Sequence, residues 1–467
     1  MNENTLKELI SLSPEKAIEA LKAKSVSVPK WADLEKHYDR RKHDVMTDQN
    51  ALKDKKRSDG GVDKSTRVSL ALEKLASRRM SEFCFAIPVK RVYSGIDSDQ
   101  TKSQIVRAIE AIYKNARIDT INLRRGRSFF ASCEVCTVWF VKEQPNASYG
   151  FDSKYKLKCK SYSPMDGYSL YPLFDDMDDM IAMSFGYDKK EGDDKVSHFE
   201  TYTIDGYYHW IDKGDGWELK EPPANIKLGK IPAVYMSRQE AIYEDITDIR
   251  SELEFLLSRN GNVLAYNSAP AIKIKGKVEG QEDRDEAQRI FRLEQGGDMD
   301  YVGWTQSVDA NKLQADALHN SIFMLLQLPD LSFENMKSLG NIGFDARQTL
   351  LTDAHLKVGS ESGDLVEALE REASIIKAFL KLMNPSWSKA IDEVDIEHII
   401  TPYIQGDELA EIKKRITANG GKPIESQRES IARYGWSDDP DETMRQIQEE
   451  AQEEAKANRI GSFEGAE

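Results

Sequence analysis

The stretch EDITDIRSELEFLLSRNGNVLAYNSAPAIKIKG occupies Glu244–Gly276 and decides how the rest of the chain is read. Ile246, Ile249, Leu253, Leu256 and Leu257 recur three and four residues apart, the spacing of one apolar helix stripe. Pro270 stops that helix. The segment AIKIKGKVEGQEDRDEAQRIFRLEQGGDMDYVGW then reads as strand, helix, Gly296-Gly297, strand. A second helix is expected from about Ala310 to Gln327. At ~1.5 Å per residue, helices of these lengths span roughly 27–40 Å. Two long helices therefore bracket a compact insert.

Working outward, LLQLPDLSFENMKSLGNIGFDAR (Leu325–Arg347) ends the second helix at Pro329. It keeps Leu331, Phe333, Met336, Leu339 and Ile342 apolar, while Gly340 and Gly343 let the backbone turn. A long helix follows, marked by Leu365, Leu369, Ala373, Ile376, Leu380 and Met383 and closed by Asn384-Pro385. VDIEHIITPY alternates Val394, Ile396, His398 and Ile400 as a strand does, with His398 expected against a strand neighbour or solvent. The C-terminus reads as short capped helices. One runs over Asp407–Ala418, one opens on a Ser426/Glu429 capping box, and the last opens on Asp439, Pro440 and Glu442.

Upstream, Ser13-Pro14-Glu15 is a helix start. TDQNALKDKKRSDGGVDKS has no hydrophobic period and reads as an exposed loop. RVSLALEKLASRRMSEFCFAIPV predicts a helix carrying Val68, Leu72, Leu75 and Met80, and a further helix covers roughly Ser103–Lys114. From about Phe129 to Tyr235 the pattern turns to short, aromatic, alternating segments such as TVWFV, KYKLKCKSYS and HFETYTIDGYYHWI, an antiparallel sheet region. The fold class is α+β.

The 467 residues have room for two or three domains. Apolar content of 40% with 31% charged suits a globular chain. No apolar run approaches the ~18 residues of a membrane span. The start MNENTLKELISLSPEK lacks the basic and apolar regions of a secretory signal, so assembly inside a cell is expected. Lys and Arg number 65 against 80 Asp and Glu, a net charge of −15, which argues against a general nucleic-acid binder. It leaves room for a protein that nucleic acid must pass without sticking.

Enzyme signatures are sparse. There is no GxxxxGKS loop, HExxH, GxSxG or nucleotide fingerprint. Cys133 and Cys136 form a CxxC, yet FFASCEVCTVWFV reads as a buried strand without a second ligand pair, and Cys84 and Cys159 stand apart. FDDMDDM (Phe174–Met180) supplies four acids, Asp175, Asp176, Asp178 and Asp179, and its plain reading is a tight turn. The alternative is a divalent-metal centre of a nucleic-acid-processing enzyme.

The order of these segments resembles the portal proteins of tailed bacteriophages, in particular the siphophage type. STRVSLALEKLASRRMSEFCFAIPV, KNARIDTINLRRGRSFFASCEVCTVWFV, KIPAVYM with the opening stretch, and KPIESQRESIARYGWSDDPDETMRQIQEE carry the resemblance. It implies a ring-forming subunit with wing (1–237 and 347–405), stem helices (238–268 and 310–327), clip (269–309), tunnel loop (328–346) and helical crown (406–467). The ring, usually of twelve copies, would sit at one capsid vertex of the virion after assembly in the host cytoplasm. It would pass double-stranded DNA during packaging and ejection. Partners implied are the terminase, the major capsid and scaffolding proteins and the head–tail adaptor, with no membrane. No catalytic residue, metal or cofactor is expected. Leu331, Ser332, Phe333, Asn335, Met336, Lys337, Ser338 and Asn341 would line the channel. Ile272, Ile274, Tyr301 and Trp304 would make clip contacts. A phage structural protein without a channel is the other alternative.

Overall fold

The computed structural model describes residues 8, 13–23, 26–56, 60–96, 99–192, 194–225, 227–267, 272–285, 288–301, 308–332, 349–403, 417, 426–434 and 439–463. The chain forms two compact units, Met1–Ser338 with Leu350–Tyr403, and Leu339–Thr349 with Ile404–Glu467. Helices and antiparallel strands are both abundant, so the fold is α+β.

The larger unit begins with helices α1 (Pro14–Lys22), α2 (Trp31–Tyr38) and α3 (Asp44–Thr47) and a small hairpin of β1 (Lys55–Lys56) and β2 (Val62–Asp63). Next come α4 (Leu72–Phe85), β3 (Lys90–Ser94), α5 (Gln100–Ala116) and α6 (Ile118–Ser132). The sheet region holds β4 (Glu134–Asn146), β5 (Ser153–Tyr162), β6 (Ser169–Phe174), β7 (Met180–Glu191), β8 (Asp194–Thr203), β9 (Gly206–Asp212), β10 (Trp217–Leu219), β11 (Ala224–Asn225) and β12 (Ala233–Ser237). Then follow α7 (Thr247–Asn267), β13 (Ile272–Lys275), β14 (Val278–Asp285), β15 (Gln288–Leu293), β16 (Asp298–Tyr301) and α8 (Val308–Leu326). The unit closes with α9 (Thr352–Met383), α10 (Ser388–Glu393) and β17 (Asp395–Ile399).

Two antiparallel sheets pack face to face. One has the order β12-β4-β5, and the other runs β10-β9-β8-β7-β6 with β11 also on β9. Between them Cys136, Val138, Tyr162, Ala233 and Tyr235 meet Leu170, Met183 and Phe185, which seals one small core. Ile18 and Leu21 of α1 cover the other side of the larger sheet, against Leu173, Ile181, Phe199 and Trp210. The main core joins α4, α5, α6 and α9 to the inner face of β4 and β5 through residues such as Met80, Ile109, Phe129, Trp139, Leu157, Leu369, Ile376 and Leu380. β17 pairs with β3 at its margin. Gly126 makes the α4–α6 crossing possible, because a Cβ there would sit 2.7 Å from Ser81 Oγ and 3.0 Å from the Phe85 ring.

The smaller unit contains α11 (Gln427–Tyr434) and α12 (Pro440–Phe463). The capping box forms as expected: the Glu429 N–H donates to Ser426 Oγ (3.2 Å), and the Ser426 N–H donates to Glu429 Oε2 (3.0 Å). Asp439 Oδ1 accepts from the N–H groups of Asp441 and Glu442, both at 3.1 Å. Arg428 and Asp441 pair through two bonds and tie the helices together. Except for Thr417, the expected helix Asp407–Ala418 lies outside the described residues.

Four local expectations are corrected. FFAS is not strand but the end of α6. Cys133 then caps the helix with a left-handed φ of 61°, and β4 starts at Glu134. The buried stripe of α4 runs through Glu73, Ala76, Ser77, Met80 and Cys84, which leaves Leu75 exposed. That rotation brings Glu73 to an arginine of α7. Arg67–Leu70 is not helical, because its backbone N–H groups bond to side chains of α7 instead of to a preceding turn. Finally, the expected helix inside the insert is a hairpin of β14 and β15.

Candidate functional site

The region with the most distinctive geometry is the helix pair α7–α8 with the insert between them. α7 is anchored at its first turns by a buried charge network. The Arg250 Nε donates to Glu73 Oε1 (2.6 Å) and Nη1 to Glu254 Oε2 (2.9 Å). Glu254 Oε1 accepts from the Leu70 N–H (2.6 Å) and lies 2.9 Å from His43 Nδ1. Burial pushes the Glu73 carboxyl up, against the opposing pull of Arg250.

Three acceptors on α7, spaced four residues apart, hold residues 66–70 along the helix. Asn262 Oδ1 takes the Thr66 N–H (2.6 Å), Ser258 Oγ the Val68 N–H (2.9 Å), and Glu254 the Leu70 N–H. Because i and i+4 lie on one helix face, the three acceptors form one row, and every second N–H of an extended segment meets one of them. Gly261 permits the approach, since a Cβ there would lie 2.7 Å from Thr66 Cγ2. Sequence reasoning missed this strap. The only local signal was the Glu254, Ser258, Asn262 spacing itself.

Beyond that strap, Leu253 of α7 and Ile322 and Leu326 of α8 join the main core, so one end of the helix pair is held by the rest of the subunit. α7 and α8 pack on each other, yet Leu264, Leu313 and Met324 are each about two-thirds exposed or more, at 67%, 72% and 71%.

The insert is built of two two-stranded ribbons. β13 pairs with β16, with Ile272 registered opposite Tyr301 and Ile274 opposite Met299. β14 pairs with β15. The two pairs meet at Gly276 (φ 109°), where a Cβ would come within 3.0 Å of Gly297 Cα. Among the described residues no further strand covers either edge of the β13–β16 pair. Trp304 lies outside the described residues.

α8 ends at Gln327, whose φ of 52° turns the chain out of the helix. Leu328 is buried, and Leu331 packs half-buried on the main core. With Leu72, Ala76, Phe323, Leu326 and Arg79 these residues line a cavity of about 150 Å³. Ser332 is exposed, its N–H donating to Asp330 Oδ1 at 2.9 Å. Phe333, Asn335, Met336, Lys337, Ser338 and Asn341 lie outside the described residues.

The acidic stretch is a turn. Asp175 Oδ1 accepts the N–H groups of Met177 (2.8 Å) and Asp179 (2.9 Å), and Asp178 takes a left-handed φ of 64°. A carboxylate engaged by two backbone donors at a turn has a structural task that accounts for it. Among the described residues no group of three or more His, Cys, Asp or Glu could hold a metal ion. Burial pushes the Cys133 thiol up to about 12 and that of Cys136 well above its usual value, which disfavours the thiolate at both. His398 lies against its strand neighbour, registered opposite Arg91 of β3, and not towards solvent; it is buried, and both ring nitrogens lack a hydrogen bond. Burial, with Arg91 beside it, holds its pKa down at about 4. No helix among the described residues is long and apolar enough to cross a membrane.

Comparison with known proteins adds a family to this geometry. None of the curated proteins compared matches the chain. Among solved structures, the neck of an empty GTA particle computed with C6 symmetry is similar over 85% of this chain and 94% of its own, at 11% identity. Its TM-score of 0.37 is too low to carry an argument. A family model described as phage portal protein, SPP1 Gp6-like, matches residues 23–457. The chain belongs to that family of phage portal proteins.

Proposed function

We propose that the protein forms a closed ring, of twelve copies, at one vertex of a phage capsid, and that double-stranded DNA enters and leaves through its centre. The observation that carries this reading is the helix pair α7–α8, whose apolar side chains Leu264, Leu313 and Met324 lack cover within the subunit. Copies side by side would bury them. Residues 238–268 and 310–327 are then the stem, and 269–309 the clip, whose open ribbon edges suit pairing with a neighbour. Residues 1–237 and 347–405 form the wing, and 406–467 the crown.

Residues 328–346 form the tunnel loop on this reading, with Leu331, Ser332, Phe333, Asn335, Met336, Lys337, Ser338 and Asn341 lining the channel. A ring multiplies the charge of −15 per copy. An acidic wall repels phosphate, so a duplex slides rather than binds. The ring docks the terminase during packaging and head–tail adaptors afterwards, and its role is structural rather than enzymatic. Negative-stain class averages of the purified protein test the proposal. Rings with a central hole are expected, and monomers or solid globules would overturn it.

A further inference from the structure

In a chain of net charge −15, one surface has the opposite sign. β5 reads SKYKLKCKSY, and Lys154, Lys156, Lys158 and Lys160 fall on alternate positions. Alternate residues of a strand share a face, so all four line one side of the sheet. β5 is the outer strand of the β12-β4-β5 sheet. Its register places Lys142 of β4 opposite Lys156, and Phe140 opposite Lys158. Directly opposed residues share a face, which adds a fifth lysine and an aromatic ring, 38% exposed, to the row. The opposite face of the same strands, with Trp139, Leu157 and Cys159, packs on the main core.

Three features show that the row is not explained by the fold. Like charges directly opposite one another, as Lys142 and Lys156 are, destabilise a sheet. Among the described residues none of the five lysines has an ion-pair partner. Glu143 is registered opposite Tyr155 on the other face and cannot neutralise the row. Only Lys160 is held, by a bond to Tyr168 Oη (2.9 Å) and by the Tyr162 ring 4.4 Å away, and neither partner removes its charge.

We propose that this lysine row binds the phosphate backbone of double-stranded DNA, at a site separate from the tunnel loop. From Lys154 to Lys160 the row extends over ~20 Å at ~3.4 Å per residue, a length that suits a duplex backbone. It runs out from the edge of the inter-sheet core, where buried Val138 lies opposite Lys160, with Lys154 and Lys160 exposed and Lys156 and Lys158 half-buried. The lysines recur every ~6.8 Å, two steps of the ~3.4 Å per-strand charge spacing of a duplex, which favours a phosphate backbone over an acidic protein segment. Of the acids beside the row in sequence, Asp152 and Glu143, neither forms an ion pair with it among the described residues, and salt screens charges beyond ~10 Å at 0.1 M. The proposal is independent of the ring reading, because a lone subunit carries the whole row.

The test is fluorescence anisotropy of a labelled 30-base-pair duplex with the full-length protein between 50 and 200 mM salt. Five neutralised phosphates give a slope of log K against log salt of about −4.5, or roughly a 500-fold loss of affinity over that range. Lys156→Gln with Lys158→Gln should flatten the slope by about 2, without lowering the thermal midpoint. A control with the exposed Lys16→Gln and Lys53→Gln should leave the slope unchanged. No binding at 50 mM, an unchanged slope in the Lys156/Lys158 variant, or preference for poly-glutamate over the duplex would each overturn the proposal.

Discussion

Glu372 sits where three elements of the larger unit meet, and its removal should be the most damaging single polar substitution in that unit. The α9 carboxylate accepts from Arg125 Nη2 at Oε2 (2.8 Å) and from Nη1 at Oε1 (3.2 Å). The Trp139 Nε1–H of β4 donates to the same Oε1 at 2.8 Å. Arg125 and Glu372 side chains are 2% and 0% exposed. A buried pair of this kind need not stabilise the fold relative to apolar groups, but breaking it leaves an uncompensated charge that costs about 3–5 kcal/mol. Glu372→Gln keeps the shape and one acceptor oxygen while removing the charge. With a urea dependence of about 3 kcal/mol per molar, the midpoint should fall by roughly 1–2 M.

The assay is urea unfolding followed by tryptophan fluorescence, since Trp139 reports directly on this site. A companion variant, Arg125→Met with Glu372→Leu, removes both charges at once. It should recover at least half of the loss, because no charge is then left unpaired. A midpoint shift below about 0.3 M for Glu372→Gln, or a double variant as unstable as the single, would refute the reasoning.

Other outcomes follow from the same structure. His398 has a folded pKa of about 4, against ~6.5 when unfolded, so the neutral ring is the folded form. Its share of stability is complete above pH 6.5 and is lost as pH falls towards 4, by up to about 3 kcal/mol. His398→Leu should flatten the pH dependence of the urea midpoint across that window, and an unaltered profile would contradict the assignment. Asp175→Ala should lower stability by about 1–2 kcal/mol through loss of its two N–H bonds. Asp175→Asn with Asp178→Asn should change no nuclease activity, whereas magnesium-dependent DNA cleavage by the wild type that disappears in the variant would restore the enzyme reading. Deleting 269–309 should abolish ring formation by sedimentation and microscopy. Bulky replacements at Ser338 or Asn341 should impair DNA packaging while rings still form; unfolded subunits would mean that the loop is core.

How far the sequence discloses this molecule depends on how local each determinant is. The stripe of Leu365, Leu369, Ile376 and Leu380 repeats at helical spacing, and α9 buries those positions. The capping box of Ser426 and Glu429 is equally local, and it forms. The insert between Gly276 and Gly297 misleads, because QEDRDEAQRIF offers charged helix formers and little alternation. Its strands are set by mutual pairing after the glycine crossing. The strap at residues 66–70 could not be read locally either, for its acceptors lie about 190 residues away on α7. The lysine row shows the remaining case. The alternation in KYKLKCK is visible and predicts a strand with one charged face. Whether that face is dispersed or concentrated depends on Lys142, which only the β4–β5 register places opposite Lys156. Net charge is an average over the surface and says nothing about such a register. A chain at −15 can therefore present both a wall that repels DNA and a track that holds it, provided the two are separated by more than a screening length.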